Sequence, residues 1–489
     1  MKNKKFEKIL EIAGYILCGL MFVTGLALMF LVARLRIFPA LYMIVGAVVL
    51  VVLTVGFVFA QRWNISGIIT KVISILLVAV MVIGCIYVNY TYKKLGEMTG
   101  INTQMDSIQI YVLVDDPAEN ITDAKDYTFG ILSTLDRENT DIVLADTSTE
   151  VGQELKTEEF DNALELVTGL YEKKVGAIVL NSAYEGFITE TEGFQDFKSR
   201  VKSISYKNIE SEVKETQDSE DYLYSGDSVF TIYISGVDTP GKPEQNHNSD
   251  VNILLTANLD TRQILMISTP RDYYVPLSIS NGKEDKLTHA GMYGIDVSAD
   301  TLGMLYDVKI DNYVKVNFTG FEHIVDALDG VNVYSEYAFE SYGYVYKQGY
   351  NHLDGEAALV FARTRHAFTD GDRQRGKNQM AVIKAIIDDM ATSDMLKNYT
   401  EVLDEISNYI VTSMTYDEIS DLVMFQLSDM KGWDIQSYSV NGTDGMAETY
   451  SAGSQELYVM IPDQSTVDQA KQYLADMYAG KTITVTEEQ

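Results

Sequence analysis

The sequence predicts an α/β protein that is attached to a membrane by three helices. Three apolar segments stand near the N-terminus, at residues 12–33, 37–60 and 68–88. Each is about as long as the ~20 residues that a helix needs to cross a hydrocarbon core, whereas a cleaved signal peptide would supply only one. From residue 107 onward, short β-type runs alternate with runs of helical periodicity, which indicates α/β structure.

Charge is unevenly distributed along the chain. The formal net charge is -32, yet residues 1–100 hold ten Lys and Arg against three Asp and Glu. The rest of the chain holds 28 basic and 67 acidic residues. Such an acidic surface disfavours nucleic acid as a partner, because nucleic-acid binding needs a basic face. It suits a solvated domain instead.

The two cysteines indicate the compartment. Cys18 and Cys85 both lie in the apolar segments, so the polar part of the chain can form no disulfide. An extracytoplasmic protein without disulfides fits a Gram-positive bacterium better than a eukaryotic secretory route.

Flanking charges predict the orientation in the membrane. Four lysines precede the first apolar segment, and Arg62 and Lys71 lie at the junction of the second and third. Both regions are therefore expected in the cytoplasm. Two arginines in the first short loop and two lysines after the third segment favour the opposite orientation. We expect a multi-pass cell-membrane protein with a cytoplasmic N-terminus and with the bulk of the chain extracellular.

Residues 101–215 predict a small, mainly parallel α/β accessory domain. Its β-type runs start at Ile108, Ile142 and Ala177, and residues 158–171 carry apolar side chains at helical spacing. The segment contains no glycine-rich phosphate loop and no nucleophile beside a plausible base. We interpret it as an interaction or spacer domain without chemistry of its own.

A polar stretch at residues 216–227 is the predicted linker to a second domain at 228–489. In that domain we expect strands at 229–235, 251–257, 264–267 and 456–461, and a C-terminal helix at 465–477.

Asp238 and Asp250 are the candidate metal ligands. Asp238 follows the first strand of the second domain, and Asp250 precedes the next strand. Two carboxylates at neighbouring strand ends could share Mg²⁺, which takes few protein carboxylates and completes its shell with water and substrate phosphate. Taken alone, aspartates in such positions are more commonly turn formers or helix caps.

Two further motifs carry polar groups. A proline ends the strand at 264–267 and places Arg271 and Asp272 in a loop, where sheet proteins commonly carry functional groups. Lys286 and His289 are three residues apart and would share a face if a helix begins there. A surface Arg–Asp pair and a structural histidine are the alternatives.

Residues 363–379 form a cationic stretch with a local net charge of +3. If Arg363 and Arg365 lie on a strand, their spacing aims both guanidinium groups at one face. The Asp-Gly-Asp at 370–372 would then break that strand.

A helix is expected from residue 373 to residue 390. It places Arg375 and Gln379 one turn apart on a single face, with Arg373 out of phase. Guanidinium groups bind phosphate oxygens in a bidentate manner. Three converging arginines therefore predict a ligand with more than one phosphate, although a solvated charged turn is the alternative.

The order of these motifs resembles that of the LytR-CpsA-Psr family. The motifs are Ile-Ser-Gly-Val-Asp at 234–238, Ser-Asp at 249–250, Thr-Pro-Arg-Asp at 269–272, Lys-Leu-Thr-His-Ala at 286–290, and Arg-Thr-Arg with Asp-Gly-Asp-x-x-Arg-x-x-x-Gln within 363–379. The resemblance extends from about residue 228 to the C-terminus. The three spans and the α/β segment ahead of it resemble the capsule-type CpsA branch.

The resemblance implies a domain with a central mixed sheet flanked by helices and with a hydrophobic tunnel for a polyprenyl chain. It also implies transfer of a cell-wall or capsular glycan from a polyprenyl diphosphate carrier to peptidoglycan, with a phosphodiester formed and polyprenyl phosphate released. The implied partners are the lipid-linked glycan, peptidoglycan, the membrane, and capsule or wall-polymer synthesis proteins.

Roles at the site are implied residue by residue. Asp238 and Asp250 would hold Mg²⁺, with Mn²⁺ as an alternative. The candidate catalytic residues are Arg271, Arg363, Arg365, Arg375 and Asp372. The candidate substrate-binding residues are Arg271, Lys286, Arg363, Arg365, Arg375 and Gln379. Asp272 and Asp372 are the candidates for a general base.

Two other functions are compatible with the same residues. A membrane-anchored regulatory protein would bind a polyprenyl phosphate ligand without turnover, and a polyprenyl diphosphate hydrolase would use water as the acceptor. The paired carboxylates favour catalysis, because an anion-binding site gains nothing from them unless a metal lies between.

Overall fold

The computed structural model describes residues 2–38, 40–99, 103–213, 228–237, 245–368, 371–391 and 399–486. It divides into two compact units. The first comprises Met1–Gly100, Ala391–Ser407 and Met414–Lys431, and the second comprises Ile101–Met390, Asn408–Ser413 and Gly432–Gln489. The linker predicted at 216–227 lies outside the described residues.

The helices and strands are numbered in chain order. The helices are α1 Lys2–Leu35, α2 Ala40–Ala60, α3 Asn64–Met98, α4 Arg137–Val151, α5 Ala163–Tyr171, α6 Tyr184–Glu190, α7 Phe197–Arg200, α8 Leu287–Tyr293, α9 Ile295–Tyr306, α10 Phe318–Ala327, α11 Gly355–Arg363, α12 Gly371–Met390, α13 Tyr399–Tyr409, α14 Tyr416–Asp429 and α15 Gln464–Tyr478. The strands are β1 Thr103–Leu113, β2 Thr128–Leu132, β3 Lys156–Phe160, β4 Ala177–Asn181, β5 Val201–Glu212, β6 Val229–Val237, β7 Val251–Asn258, β8 Gln263–Ser268, β9 Tyr274–Pro276, β10 Glu284–Lys286, β11 Asn312–Asn317, β12 Val331–Ser335, β13 Phe339–Ser341, β14 Tyr344–Tyr346, β15 Gly349–Leu353, β16 Ile410–Thr412, β17 Asp434–Ser439, β18 Gly442–Thr449 and β19 Gly453–Pro462.

The first unit is built on α1, α2 and α3. Within them, Lys8–Leu35, Ala40–Ala60 and Ile65–Gly96 are long and apolar enough to cross a membrane. Most of their large apolar side chains are exposed, which in water would be unfavourable and in lipid is expected. The three predicted membrane helices are therefore confirmed as helices.

A later part of the chain returns to this unit. Lys94 Nζ lies 2.8 Å from Asp404 Oδ1 of α13, and Arg36 Nη1 lies 2.8 Å from Asp417 Oδ2 of α14. The Tyr416 hydroxyl donates to the Leu35 carbonyl oxygen at 3.0 Å. No pattern in the sequence indicated that these two helices pack with the membrane helices.

Residues 103–212 form a five-stranded sheet in the order β3-β2-β4-β1-β5. β2 pairs in parallel with β3 and β4, whereas β1 pairs antiparallel with β4 and β5. The expectation of a mainly parallel sheet is therefore wrong for half of these pairs. The reason is β1, which lies between β4 and β5 and runs opposite to the other four strands.

Two element assignments in this region are also wrong. The apolar run at Ile142 belongs to α4 rather than to a strand, and the predicted helix at 158–171 starts only at Ala163, after β3. A four-residue apolar run cannot be assigned to a strand or a helix by periodicity alone. Asn162 sets the actual start of α5, since its side chain accepts a hydrogen bond from the Glu165 backbone N–H.

The second sheet has the order β16-β11-β6-β7-β8-β17. β6 is parallel to β11 and β8 is parallel to β17, while β7 runs antiparallel to both β6 and β8. The predicted mixed sheet is confirmed. Because β6, β8, β11 and β17 point the same way, their carboxyl ends lie along one edge of the sheet, together with the start of β7.

Helices cover both faces of this sheet. One face packs Tyr233, Leu254 and Leu265 against Leu302 of α9 and Leu474 of α15, all of them buried. The other face packs apolar side chains of β6, β7, β8 and β17 against α12. β19 and α15 confirm the predicted C-terminal strand and helix.

The structure corrects the expected strand at Arg363 and Arg365. Arg363 is the last residue of α11, and Arg365 lies in the loop beyond it. Asp354 caps this helix, because its Oδ1 accepts from the Ala357 N–H at 2.9 Å. Ala357, Ala358 and Phe361 then supply a buried helical face. The predicted helix over 373–390 is confirmed as α12.

Gly376 allows α12 to approach the end of β8. A Cβ at this position would lie 2.5 Å from Ser268 Oγ. We expect Gly376→Ala to lower the free energy of unfolding by about 1–3 kcal/mol, as overpacking does, measured by denaturation of the detergent-solubilised protein. Gly432→Ala, where a Cβ meets nothing within 4 Å among the described residues, is the control. Equal stability of the two variants would contradict this close packing.

Candidate functional site

Three loop segments meet at the carboxyl edge of the mixed sheet and are joined by backbone hydrogen bonds. The Ser249 N–H donates to the Thr288 carbonyl at 3.1 Å, and the Thr288 N–H donates to the Arg271 carbonyl at 2.8 Å. The Asp250 N–H donates to Gly236 of β6 at 2.8 Å. Ligands of open α/β sheets bind at such strand ends, so the motifs separated in sequence share one site.

Arg271 lies in the loop that follows β8 at this edge and has three carboxylates around it. Its Nη1 is 2.5 Å from Asp250 Oδ1 and 3.5 Å from Glu190 Oε1, and its Nε is 3.5 Å from Asp272 Oδ2. Its side chain is only 18% exposed. The guanidinium is therefore held in place before any ligand arrives.

Electrostatics keep Arg271 charged despite its burial. Burial on its own would lower the pKa of this guanidinium, but Asp250, Asp272 and Glu190 together outweigh it and raise the pKa above its ordinary value. Arg271 is a permanent cation in the site.

Lys286 and His289 are positioned by two buried aspartates. Lys286 Nζ donates to Asp272 Oδ1 at 3.0 Å. Asp285 is fully buried, where its Oδ1 lies 2.7 Å from His289 Nδ1 and its Oδ2 accepts from the Ser451 N–H at 2.8 Å. The structure thus places Lys286 beside Arg271 and assigns His289 a structural role.

α12 brings Arg375 and Gln379 to the same edge. Both side chains are buried on one face of the helix, as their spacing predicts. Arg375 Nη2 donates to the Asp250 carbonyl oxygen at 3.4 Å. The helix begins at Gly371, so its positive N-terminal end adds to the cationic character of the site.

The remaining arginines lie in less buried positions. Arg363 is exposed, and its Cζ lies 4.7 Å above the centre of the Phe318 ring, just past the carboxyl end of β11. Arg365 is half-buried in the loop that precedes α12, where Gly371 packs against its backbone. Arg363 thus lies at a helix end and Arg365 in a loop, rather than both on one strand face.

Two predicted residues fall outside what the structure describes. Asp238 follows Val237, the last described residue of β6, and lies outside the described residues. The backbone of Asp372 lies in the first turn of α12, but its side chain is also outside them. Their roles stay predictions.

Residues that the sequence did not single out complete the site. Glu190, at the end of α6 in the five-stranded region, reaches Arg271. Beneath Asp250, the Tyr233 hydroxyl donates to Asn252 Oδ1 at 2.7 Å and lies 2.9 Å from Ser249 Oγ. A buried polar network of this kind fixes the loop that carries Asp250. The alternation of polar and apolar residues along β6 could have indicated this network from the sequence. Nothing in the sequence indicated that Glu190 lies at the site.

The donor set around Asp250 fits a hard divalent cation. Within the described residues, no group of three or more His, Cys, Asp or Glu could hold a metal, but Mg²⁺ needs only one or two carboxylates beside phosphate and water. Three carboxylates, from Asp250, Asp272 and Glu190, surround Arg271. Arg271, Lys286 and Arg375 balance these carboxylates, so a divalent cation at Asp250 would further favour an anionic ligand.

Comparisons with known proteins agree with these motifs. A family model described as the LytR_cpsA_psr family matches residues 194–475. The polyisoprenyl-teichoic acid–peptidoglycan teichoic acid transferase TagU of Bacillus cereus is 34% identical over 210 residues, which cover 43% of this chain and 68% of the relative. TagU of Enterococcus faecalis is 32% identical over 198 residues, which cover 40% and 65%. The crystal structure of B. subtilis TagU has 28% identity and a TM-score of 0.41, covering 53% of this chain and 100% of that chain.

Asp285 should be a strong determinant of stability. Asp285→Ala leaves the Ser451 N–H and the His289 ring without their acceptor. Each buried group left without a partner lowers the free energy of unfolding by about 1–3 kcal/mol. We expect a loss of about 3 kcal/mol or more in total, measured by denaturation of the detergent-solubilised protein. Asp285→Asn keeps one acceptor oxygen and should lose less. An Asp285→Ala protein as stable as the parent would rule out this anchoring role.

Proposed function

Since this chain belongs to the LytR-CpsA-Psr family, we propose that it transfers a cell-wall or capsular glycopolymer from a polyprenyl diphosphate carrier to peptidoglycan. The reaction forms a phosphodiester and releases polyprenyl phosphate. The observation that carries this proposal is the meeting of Arg271, Lys286 and Arg375 with Asp250 at the carboxyl edge of the mixed sheet. The relatives are teichoic acid transferases by name, and the capsule-type branch stays a prediction.

One face of α12 has a cationic part and an apolar part, which suit the diphosphate and the polyprenyl chain of such a donor. Arg375 and Gln379 are followed at the same helical spacing by Ile383 and Ile387, so a cationic end leads into an apolar stripe. Ile383 and Ile387 are partly buried and lie in one apolar cluster with Phe230 of β6. We place the diphosphate at the start of this stripe and the polyprenyl chain along its apolar part.

The arginines neutralise the charge of the donor. A diphosphate diester carries about two negative charges, and phosphoryl transfer asks the protein mainly for positioning and charge neutralisation. Arg375 is buried, Arg271 is partly buried, and both are held by neighbouring groups, so they need little reorganisation when the donor binds. Arg363 and Arg365 add cations at the more exposed side of the site.

The bond changes follow from this placement. A hydroxyl oxygen of peptidoglycan attacks the phosphorus next to the glycan, the bond from that phosphorus to the bridging oxygen breaks, and polyprenyl phosphate leaves with the electron pair. The hydroxyl proton passes to the departing polyprenyl phosphate, directly or through water. Asp272 is engaged by Lys286 and Arg271, so we assign it to holding these cations rather than to accepting the proton.

Mg²⁺ belongs to this proposal, with Mn²⁺ as an alternative. Asp250 and Asp238 would hold it, and the ion would supply further neutralisation of phosphate charge. Asp250 also forms an ion pair with Arg271, so its carboxylate would both bind the metal and orient this arginine.

The proposed location follows from the charges that flank the spans. We infer a cytoplasmic N-terminus and an extracellular site, in the membrane of a Gram-positive bacterium, where lipid-linked glycopolymer and peptidoglycan meet. Contacts with capsule or wall-polymer synthesis proteins remain part of this proposal.

Removal of one arginine should slow transfer strongly. We expect Arg365→Ala or Arg375→Ala to lower the rate of polyprenyl phosphate release about 10²–10³-fold, the scale for loss of one preorganised charged donor. The assay uses detergent-solubilised protein, a polyprenyl diphosphate glycan, uncrosslinked peptidoglycan strands and Mg²⁺. Arg373→Ala, out of phase on the same helix, should change the rate less than tenfold. Near-parental rates in both test variants would refute these roles, and donor bound without product over hours would favour a regulatory protein.

A separate prediction concerns the dependence of transfer on Mg²⁺. We expect Asp250→Ala and Asp238→Ala each to raise the Mg²⁺ concentration needed for half-maximal release by about tenfold or more, because each removes a carboxylate ligand. Titration of Mg²⁺ in the same assay measures this. Unchanged dependence in both variants would exclude the two aspartates from the metal site.

A further inference from the structure

A groove of about 410 Å³ lies along a second face of α12. Its floor contains Gln374, Asn378, Ala381 and Ala385, which recur at helical spacing, so the groove follows the axis of the helix. Tyr334 of β12 and Tyr350 of β15 line it as well, together with Ser437 and Ser439 of β17. The small alanine side chains keep its floor open.

The groove starts beside the proposed catalytic site. Gln374 precedes Arg375 in α12, and Ser439 pairs with Ser268, the last residue of β8 before the Arg271 loop. The lining residues of α12 continue to Asp388, about 21 Å further along at ~1.5 Å per helical residue. A long ligand in this groove would therefore bring one part of its chain to the arginines.

Two exposed tyrosines give the groove an aromatic side. Tyr334 and Tyr350 are directly opposite each other across the β12–β15 pair, and their ring centres are 5.3 Å apart at 74°. They are 51% and 67% exposed, respectively. An aromatic ring offers an apolar face and a polar hydroxyl, which suits a pyranose ring with its apolar C–H face and its polar rim.

The opposite side offers hydrogen-bonding groups. Gln374 Nε2 donates to Asn378 Oδ1 at 3.0 Å, which orients both amides. Ser437 and Ser439 face the groove, while Tyr438 between them packs against Tyr473 on the other side of the sheet. Across the described part of the chain, Ser439 Oγ is buried without a hydrogen-bond partner. Asn378 Nδ2 already donates to the Phe361 carbonyl oxygen at 3.1 Å, so sugar hydroxyl and amide groups are suitable partners for the Gln374 oxygen and the two serine hydroxyls.

The charges of the groove exclude a polyanion as its best ligand. Two lysines, Lys377 and Lys384, and two acids, Glu336 and Asp388, line it. Lys377 Nζ lies 3.7 Å from Glu336 Oε2. A chain of phosphates would require a clear excess of positive charge, whereas a sugar chain of low charge does not.

We propose that the α12 groove binds the glycan strand of the acceptor, a chain of N-acetylated pyranose sugars, and so presents one of its hydroxyls to the site. This inference rests on the proposed function, since it names a binding site for the second substrate of that reaction. The two substrates then lie on neighbouring faces of one helix, the lipid-linked donor on the Arg375 face and the acceptor on the Asn378 face.

The test is a double variant, Tyr334→Ala with Tyr350→Ala. Both side chains are exposed, so the fold should tolerate their loss. With detergent-solubilised full-length protein and uncrosslinked peptidoglycan strands, we expect the KM for the strands to rise about tenfold, equivalent to ~1.4 kcal/mol. The kcat and the KM for the donor should stay within about twofold of the parent. Tyr206→Ala, an exposed tyrosine on β5, is the matched control and should change neither KM.

A binding titration separates this inference from the proposed function. Uncrosslinked strands are added to the protein without donor, and the double variant should bind about tenfold more weakly than the parent. If the parent releases no polyprenyl phosphate, the proposed function fails while the titration still tests the groove. Equal strand affinity in parent and double variant would overturn the acceptor groove. A raised donor KM with an unchanged strand KM would also overturn it.

Discussion

The ion pair between Arg271 and Asp250 is the interaction on which the candidate site depends. It joins the loop after β8 to the start of β7 at 2.5 Å, with both side chains largely buried. A buried charge is costly unless a partner compensates it, and each of these groups compensates the other. Because the pair already orients Arg271, the proposed donor would meet a cation whose position is fixed, and the proposed metal would share Asp250 with it.

α12 organises the ligands around that pair. Its N-terminal turns carry Arg375 and Gln379, and its later turns carry Ile383 and Ile387 on the same face. An adjacent face forms the floor of the tyrosine-lined groove. Gly376 lets α12 approach Ser268 closely, so both faces of the helix lie near the strand ends. In the proposed reaction, one helix would therefore position the lipid, the diphosphate and the sugar chain relative to one another.

The five-stranded region is more than a spacer in this structure. Phe187 of α6 packs its ring 4.9 Å from the His289 ring, and Glu190 of the same helix contacts Arg271. Asn246 Nδ2 donates to Asp106 Oδ1 of β1 at 3.0 Å, close to the loop that carries Asp250. These contacts connect the loops of the site to a region that supplies none of its candidate cations.

By itself, the sequence determined the three apolar spans, the α/β class, the central strands, α12 and the order of the motifs that carry Asp250, Arg271, Lys286 and Arg375. Those features depend on local pattern, which periodicity and charge report directly. It did not determine that Arg363 ends a helix, because the Asp354 cap and the packing of Phe361 outweigh the strand-like spacing. Nor did it show the contact of Glu190 with Arg271 or the groove between Tyr334 and Ser439. Only the tertiary structure decided the last two, since each joins residues far apart in the chain whose proximity depends on how the sheets and helices pack.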